Sequence, residues 1–263
     1  MSTLPSAPVA SSAAAVRLEG VTRRYPNGVE ALEDVSLDIA PGSFVSLLGP
    51  SGCGKSTLLS LLAGLDAPSE GRVVVGGRVG VVFQEAALFP WRTVRDNVAF
   101  GLEMQGVAKA ERRARAEALL RRVHLSRFAG AFPHELSGGM RQRAAIARAL
   151  ATEPDILLMD EPFGALDAQT RALLQAELLS LWEGSEQTVV FVTHSLDEAL
   201  RLSDRVVLLS ARPGRVIGDF PVRAPRPRSP QTDASLAVLR GELDALLARE
   251  VRSVSEAEWG GNE

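Results

Sequence analysis

A chain of 263 residues, 46% hydrophobic and 23% charged, has room for one large α/β domain with an inserted subdomain, and not for two ordinary catalytic domains and a linker. A formal net charge of −3 gives no basic footprint, so no nucleic-acid partner is expected. One cysteine excludes an intramolecular disulfide and leaves no basis for a cysteine-rich zinc site, which suits a reducing cytoplasm.

Residues 1–15 are small, polar and interrupted by proline. They lack the basic start and apolar centre of a secretory signal and read as a disordered tail. "VRLEGVTRRY", "ALEDVSLDI" and "SFVSLL" then alternate like antiparallel strands, the last of them apolar enough to be buried. Tyr25, in "RRYPNG", presents a ring that can stack on a planar base or pack against this β edge.

"LLGPSGCGKSTLL" follows, with Gly49, Pro50, Ser51, Gly52, Cys53, Gly54, Lys55, Ser56 and Thr57 fitting the phosphate-loop pattern G-x-x-x-x-G-K-[ST]. A strand before it and an apolar helical run after it supply the context that the pattern requires. Gly49, Gly52 and Gly54 allow positive φ, so backbone N–H groups can turn inward at a helix N-terminus. Lys55 can then reach the β and γ phosphates of a nucleotide, and Ser56 can ligate Mg²⁺. Cys53 is either a small buried residue or a thiol whose pKa the cationic helix start lowers.

"GRVVVGGRVGVVFQ" reads as a short hairpin-like pair ending at Gln84, a loop amide or a ligand-sensing group. From Thr93 to about Ala151 the pattern is helical, and "AERRARAEALLRRVHL" is strongly charged on one side. In "ELSGGMRQRAAIARAL", Ser137 precedes Gly138 and Gly139 at the start of a long helix, a second amide cradle with a hydroxyl N-cap. "DILLMDEP" is a strand covered on both faces that ends in carboxylates. Asp160 is thereby placed to hold Mg²⁺, and Glu161 to orient or deprotonate an attacking water. "TVVFVTH" brings His194 to another strand end, as a structural hydrogen-bonding residue or a catalytic one. "RAPRPRSP", from Arg223, reads as an extended linker, and Leu236, Leu239, Leu243, Leu246 and Leu247 as the apolar stripe of a C-terminal amphipathic helix. No uncharged apolar run approaches the ~18 to 20 residues that cross a bilayer. The order predicts a mostly parallel sheet around the phosphate loop, an antiparallel β edge and an inserted helical subdomain.

Two phosphate cradles in one chain are hard to use on one nucleotide. The sequence here resembles the ATPase subunits of ATP-binding cassette (ABC) transporters, whose LSGGQ signature is written "LSGGM", with Met140 in place of the usual Gln. The resemblance spans Val16 to Val222 and implies the ABC form of the P-loop NTPase fold over 16–222. The helical subdomain would occupy about 93–151, and the linker and C-terminal helix 223–263. It implies ATP and Mg²⁺ as cofactors and ATP hydrolysis as the reaction. Tyr25 would stack on adenine, Gly49 to Thr57 would hold the phosphates, and Ser137, Gly138 and Gly139 would contact the γ phosphate. Ala165 to Asp167 would form the D-loop, with Asp167 near the nucleotide. Lys55, Gln84, Glu161 and His194 would be catalytic, and Ser56, Gln84 and Asp160 would hold Mg²⁺.

"GVVFQEAALFPWRTVRDNVAFGLE" and "LLSARPGRVIGDF" look like the importer branch for nitrate, aliphatic sulfonates and taurine. The implied partners are a second copy packed head to tail, integral membrane permease subunits met near Phe89-Pro90-Trp91, and indirectly a periplasmic or lipid-anchored substrate-binding protein. The implied location is the cytoplasmic face of the inner membrane. The alternative is a stand-alone ATPase serving a soluble partner.

Overall fold

A computed structural model describes residues 15–164 and 166–259, with side chains through Ser253. Residues 1–14 of the predicted tail, Ala165 of the predicted D-loop and residues 260–263 lie outside the described residues. In chain order the strands are β1 (Val16–Arg24), β2 (Glu30–Ile39), β3 (Phe44–Leu48), β4 (Glu70–Val75), β5 (Val79–Val82), β6 (Ile156–Asp160), β7 (Thr188–Thr193), β8 (Arg205–Leu209) and β9 (Val216–Pro221). The helices are α1 (Lys55–Leu62), α2 (Val94–Met104), α3 (Lys109–Arg122), α4 (Gly138–Leu150), α5 (Ala168–Trp182), α6 (Leu196–Leu202) and α7 (Ala237–Trp259).

The main sheet has the order β5-β6-β7-β3-β8-β9, parallel except for β9. Its strands are apolar because both faces are covered, and period-2 alternation sorts them between two cores. Val45, Leu47, Ile156, Leu158, Val190 and Val192 face α1 and the strands β1 and β2. Phe44, Leu157, Met159, Val189 and Phe191 face Leu174 and Leu178 of α5. A separate antiparallel sheet of order β2-β1-β4 lies over the first core. Helices α2, α3 and α4 close around Val98, Leu102, Leu120, Leu136 and Ala144. Among the described residues no helix is long and apolar enough to cross a membrane.

Two strand expectations are corrected. β3 is fully buried and pairs in parallel with β7 and β8, so it is not part of the antiparallel group. β4 and β5 do not form a hairpin: β4 pairs with β1, and β5 joins the main sheet beside β6. A strand-Gly-Gly-strand spacing fits a hairpin and a crossover between sheets equally well. The second course is fixed by Asp155, whose carboxylate accepts from Arg78 N–H at 2.7 Å and whose N–H donates to Arg78 C=O at 2.9 Å. Gly77 turns there with φ +138°, and a side chain on it would begin 2.7 Å from Asp155 Cβ.

The "RAPRPRSP" stretch has no helix or strand, yet it is tied down along its length. Arg226 pairs with Asp204 at 2.7 Å and lies over the Trp182 ring. Arg228, 4% exposed, donates to the carbonyls of Ala224, Leu200, Ser203 and Val222. Beyond it, Leu236 and Leu243 are buried, and Leu239, Leu246 and Leu247 pack against Leu200, Val206 and Leu208.

Candidate active site

The carboxyl ends of β3, β6 and β7 lie side by side, with Leu48 opposite Thr193 and Asp160 opposite Val192. Ligands of open α/β sheets bind at this edge. The three loops leaving it carry the phosphate-loop motif, the Asp160-Glu161 pair and His194.

The motif's backbone is shaped by its glycines. Gly54 is the N-cap of α1 in the left-handed region, φ 101°, and any side chain on it would begin 2.6 Å from Ala31 C=O. No side chain caps α1 and no acid sits in its first turn, which leaves this helix start suited to an anion. Gly52 also has positive φ. Gly49 does not; it is glycine because Cys53 Sγ and Leu209 C=O close in on it, each 2.9 Å from where a Cβ would stand. The Lys55 ammonium is buried and donates to the carbonyls of Gly49 and Pro50, both at 2.8 Å. Tyr25 Oη and Thr57 Oγ1 are 3.3 Å apart, and Arg23 lies over the Tyr25 ring at 4.7 Å.

Cys53 decides between its two readings. The thiol is buried in the first core, and burial pushes its pKa up against the pull of Lys55. The expected lowering is overturned because desolvation in the core outweighs the Lys55 ammonium, whose Nζ lies 3.7 Å from the sulfur.

Ser56 Oγ donates to Asp160 Oδ1 at 3.2 Å. A hydroxyl and a carboxylate at one point are the hard oxygen donors that Mg²⁺ takes, so these residues fit the ion. Burial pushes the Asp160 carboxyl up, with Glu161 adding to the rise and Ser56 and Lys55 opposing it. Glu161 holds φ +41°, an uncommon conformation for a side chain of its size, fixed by its N–H donating to Val192 C=O at 3.0 Å. That twist brings Glu161 Oε2 to 3.0 Å from His194 Nδ1. Gln84 approaches the same point: its Nε2 and Glu161 Oε2 each lie 3.7 Å from where a side chain on Gly164 would begin.

The second cradle opens α4. Ser137 is its N-cap and accepts from Met140 N–H at 3.3 Å; Ser137 and Gly138 are exposed. Met140 packs against the helical core, so the departure at this position is absorbed away from the cradle. The side-chain bond of Ser137 stays within its own helix. Asp167 caps α5 by accepting from Gln169 and Thr170, and those backbone donors hold its pKa low. Its carboxylate is thus committed to the cap.

Gly164, Gly214 and Thr193 were not legible as part of this region. Gly214 packs under the phosphate loop, with Cys53 C=O only 2.1 Å from where a Cβ would begin. Gly164 and Thr193 each adjoin motif residues, which is the one signal that pointed toward them.

The sequence pattern of the ABC transporter family matches residues 32–164. The chain is 52% identical to a taurine import ATP-binding protein of Rhizobium johnstonii, over 85% of this chain and 91% of that one. It is 48% identical to an ABC transporter ATP-binding protein of Methanocaldococcus jannaschii, over 90% and 92% of the two chains. Among solved structures it resembles a dimeric ATP-binding cassette in a post-hydrolysis state bound to ADP and Pi. The TM-score is 0.72 and the identity 38%, over 80% of this chain and 99% of that one. With a phosphate loop, an acidic strand end and a second cradle arranged on this fold, the chain belongs to the ABC transporter family as one of its ATP-hydrolysing, ATP-binding proteins.

Proposed function

We propose that this protein is the ATP-hydrolysing subunit of a bacterial ABC importer for a small anion or zwitterion, taurine first, then an aliphatic sulfonate or nitrate. The observation that carries the catalytic part is the contact of Glu161 with His194 beside Asp160 and the phosphate loop. Taurine takes precedence because the relatives of Rhizobium johnstonii and Pseudomonas aeruginosa are named for its import.

In this reading Lys55 and the N–H groups of α1 hold the β and γ phosphates, and Tyr25 stacks on adenine. Glu161 accepts a proton from the water whose oxygen attacks the γ phosphorus, and ADP leaves with the electron pair of the broken P–O bond. His194, bonded through Nδ1 to Glu161, keeps Nε2 for the γ phosphate. Ser56 and Asp160 would hold Mg²⁺ with Gln84 beside them, and the ion supplies charge neutralisation of the phosphates when bound. Two copies would close head to tail, Ser137, Gly138 and Gly139 of each completing the other's site near Asp167. Permease subunits would dock near Trp91, which is 72% exposed on a loop that buried Asn97 fastens by bonds to Phe89, Arg92 and Thr93. A substrate-binding protein would meet the permease on the far side, and this chain would lie on the cytoplasmic face of the membrane. The body of the cassette would be residues 16–222, with 93–151 as the helical subdomain and 223–263 as a docked extension.

The test is reconstitution in liposomes loaded with ATP, together with a candidate permease and substrate-binding protein sought among the genes adjacent to this one. Taurine uptake is expected, and Glu161→Gln should lower both uptake and ATPase rate by ~10² to 10⁴-fold, the contribution of a positioned base. Unchanged turnover in that variant removes Glu161 as the base. Co-purification with a soluble protein and no polytopic membrane protein would favour the stand-alone ATPase.

A further inference from the structure

A second carboxylate, outside the predicted site, lies behind His194. Glu198 is 7% exposed on α6, and burial pushes its pKa up despite its hydrogen bonds. Its two oxygens face different elements. Oε2 accepts from the Thr193 hydroxyl at 2.6 Å, and the same hydroxyl oxygen accepts from Ser195 N–H at 2.9 Å. Both residues flanking His194 are therefore fixed by one short chain of bonds. Oε1 accepts from Gln175 Nε2 at 3.2 Å and lies 3.9 Å from Arg171 Nε. Gln175 and Arg171 are one turn apart on α5, and Arg171 N–H donates to Asp167 C=O at 2.9 Å at the head of that helix.

For packing alone this group is a poor choice. A buried carboxylate without a complete ion pair costs several kcal/mol, and an apolar side chain of similar volume would fill the space without that cost. Arg171 Nε is itself buried and has no hydrogen-bond partner, so the pair is aligned and not closed.

We propose that Glu198 is a positioning residue for His194, which ties the histidine's loop to the helix that starts at Asp167, so that a shift of α5 is felt at the catalytic histidine. The inference rests on the reading of His194 as a residue of the hydrolytic site. It assigns Glu198 no contact with nucleotide.

The test uses the full chain and steady-state ATPase kinetics on Glu198→Gln, Thr193→Val and the double variant. Each single change is expected to lower kcat about tenfold with KM for ATP within about twofold. The double variant should be no slower than the slower single one, because both break the same link. Thermal midpoints report whether the fold is kept, and Glu198→Gln should melt no lower than wild type. Arg171→Met, on a partly exposed residue, provides a second route should the core changes unfold the chain. It should lower kcat about threefold in the wild type and leave Glu198→Gln unaltered. Unchanged kcat in Glu198→Gln, a loss expressed in KM, or equal effects of Arg171→Met in both backgrounds would overturn the proposal. His194→Ala separates the two levels. If it keeps full kcat, the reading of His194 fails; if it is inactive while Glu198→Gln is normal, only the positioning role fails.

Discussion

Asp160 carries a charge that the fold resists. Its carboxyl is pushed up by burial and by Glu161, while Ser56 and Lys55 only partly offset this. An acid whose folded pKa lies above its unfolded value binds more protons when folded. Stability therefore falls as pH rises from the unfolded toward the folded pKa, and the penalty is fully present above the folded pKa. Asp160→Asn is expected to melt higher at pH 7, by about 0.5 to 2 kcal/mol as for other substitutions that relieve a functional site. The gain should shrink toward pH 4 and ATPase activity should be lost. Melting curves at both pH values check this, and a gain that stays equal would assign the effect to packing. Mg²⁺ with nucleotide should reverse the preference in the wild type, since a cation beside Asp160 favours its ionised form. Cys53 shows the opposite relation to function, being inside the motif while its sulfur belongs to the core. Thiol reagents should accordingly meet a buried, protonated group.

At the level of elements, the segment from Arg223 to the C-terminal helix is the least expected part. Composition alone described it as a tether, because proline and arginine are common in solvated chain. Arg228 instead inserts its guanidinium among four backbone carbonyls, and burial holds its pKa down. Arg228→Met keeps the stem and removes the donors, so those carbonyls lose a charged partner; destabilisation of about 3 kcal/mol is expected. KM for ATP should stay near the wild-type value, and denaturant titration beside ATPase kinetics reads both. What was legible in sequence follows from the range of the forces involved. Strand, loop and helix around Lys55 are set by local pattern, as is the cap at Ser137. The partners of β3 and the parting of β4 from β5 depend on residues more than 70 positions away, notably Asp155, and no local pattern encodes them. The site behaved likewise. Motif residues were readable one at a time, whereas the Glu161 to His194 contact arises from two neighbouring parallel strands.

For the whole molecule, the proposed use of two cradles makes the number of chains in a working unit testable. Ser137 spends its hydrogen bond on its own helix and is exposed, as suits a group that serves another copy. A Lys55→Ala chain and a Ser137→Arg chain should each be inactive alone. Mixed, they place both lesions in one shared site and leave the other intact, so activity should recover to at most about half of wild type when one site suffices. ATPase rate against mixing ratio is the measurement; zero at every ratio with heterodimers present would oppose shared sites. The placement of β3 has a further consequence. Its neighbours begin at residues 188 and 205, and Gly214 closes the underside of the loop that follows it. Chains emerge from the ribosome amino end first, and long-range pairings form late. During synthesis the phosphate motif therefore emerges well before residues 188–214, with neither neighbouring strand present to shape it. The packed form of the loop is thus expected only once Gly214 has been made, long after the motif itself.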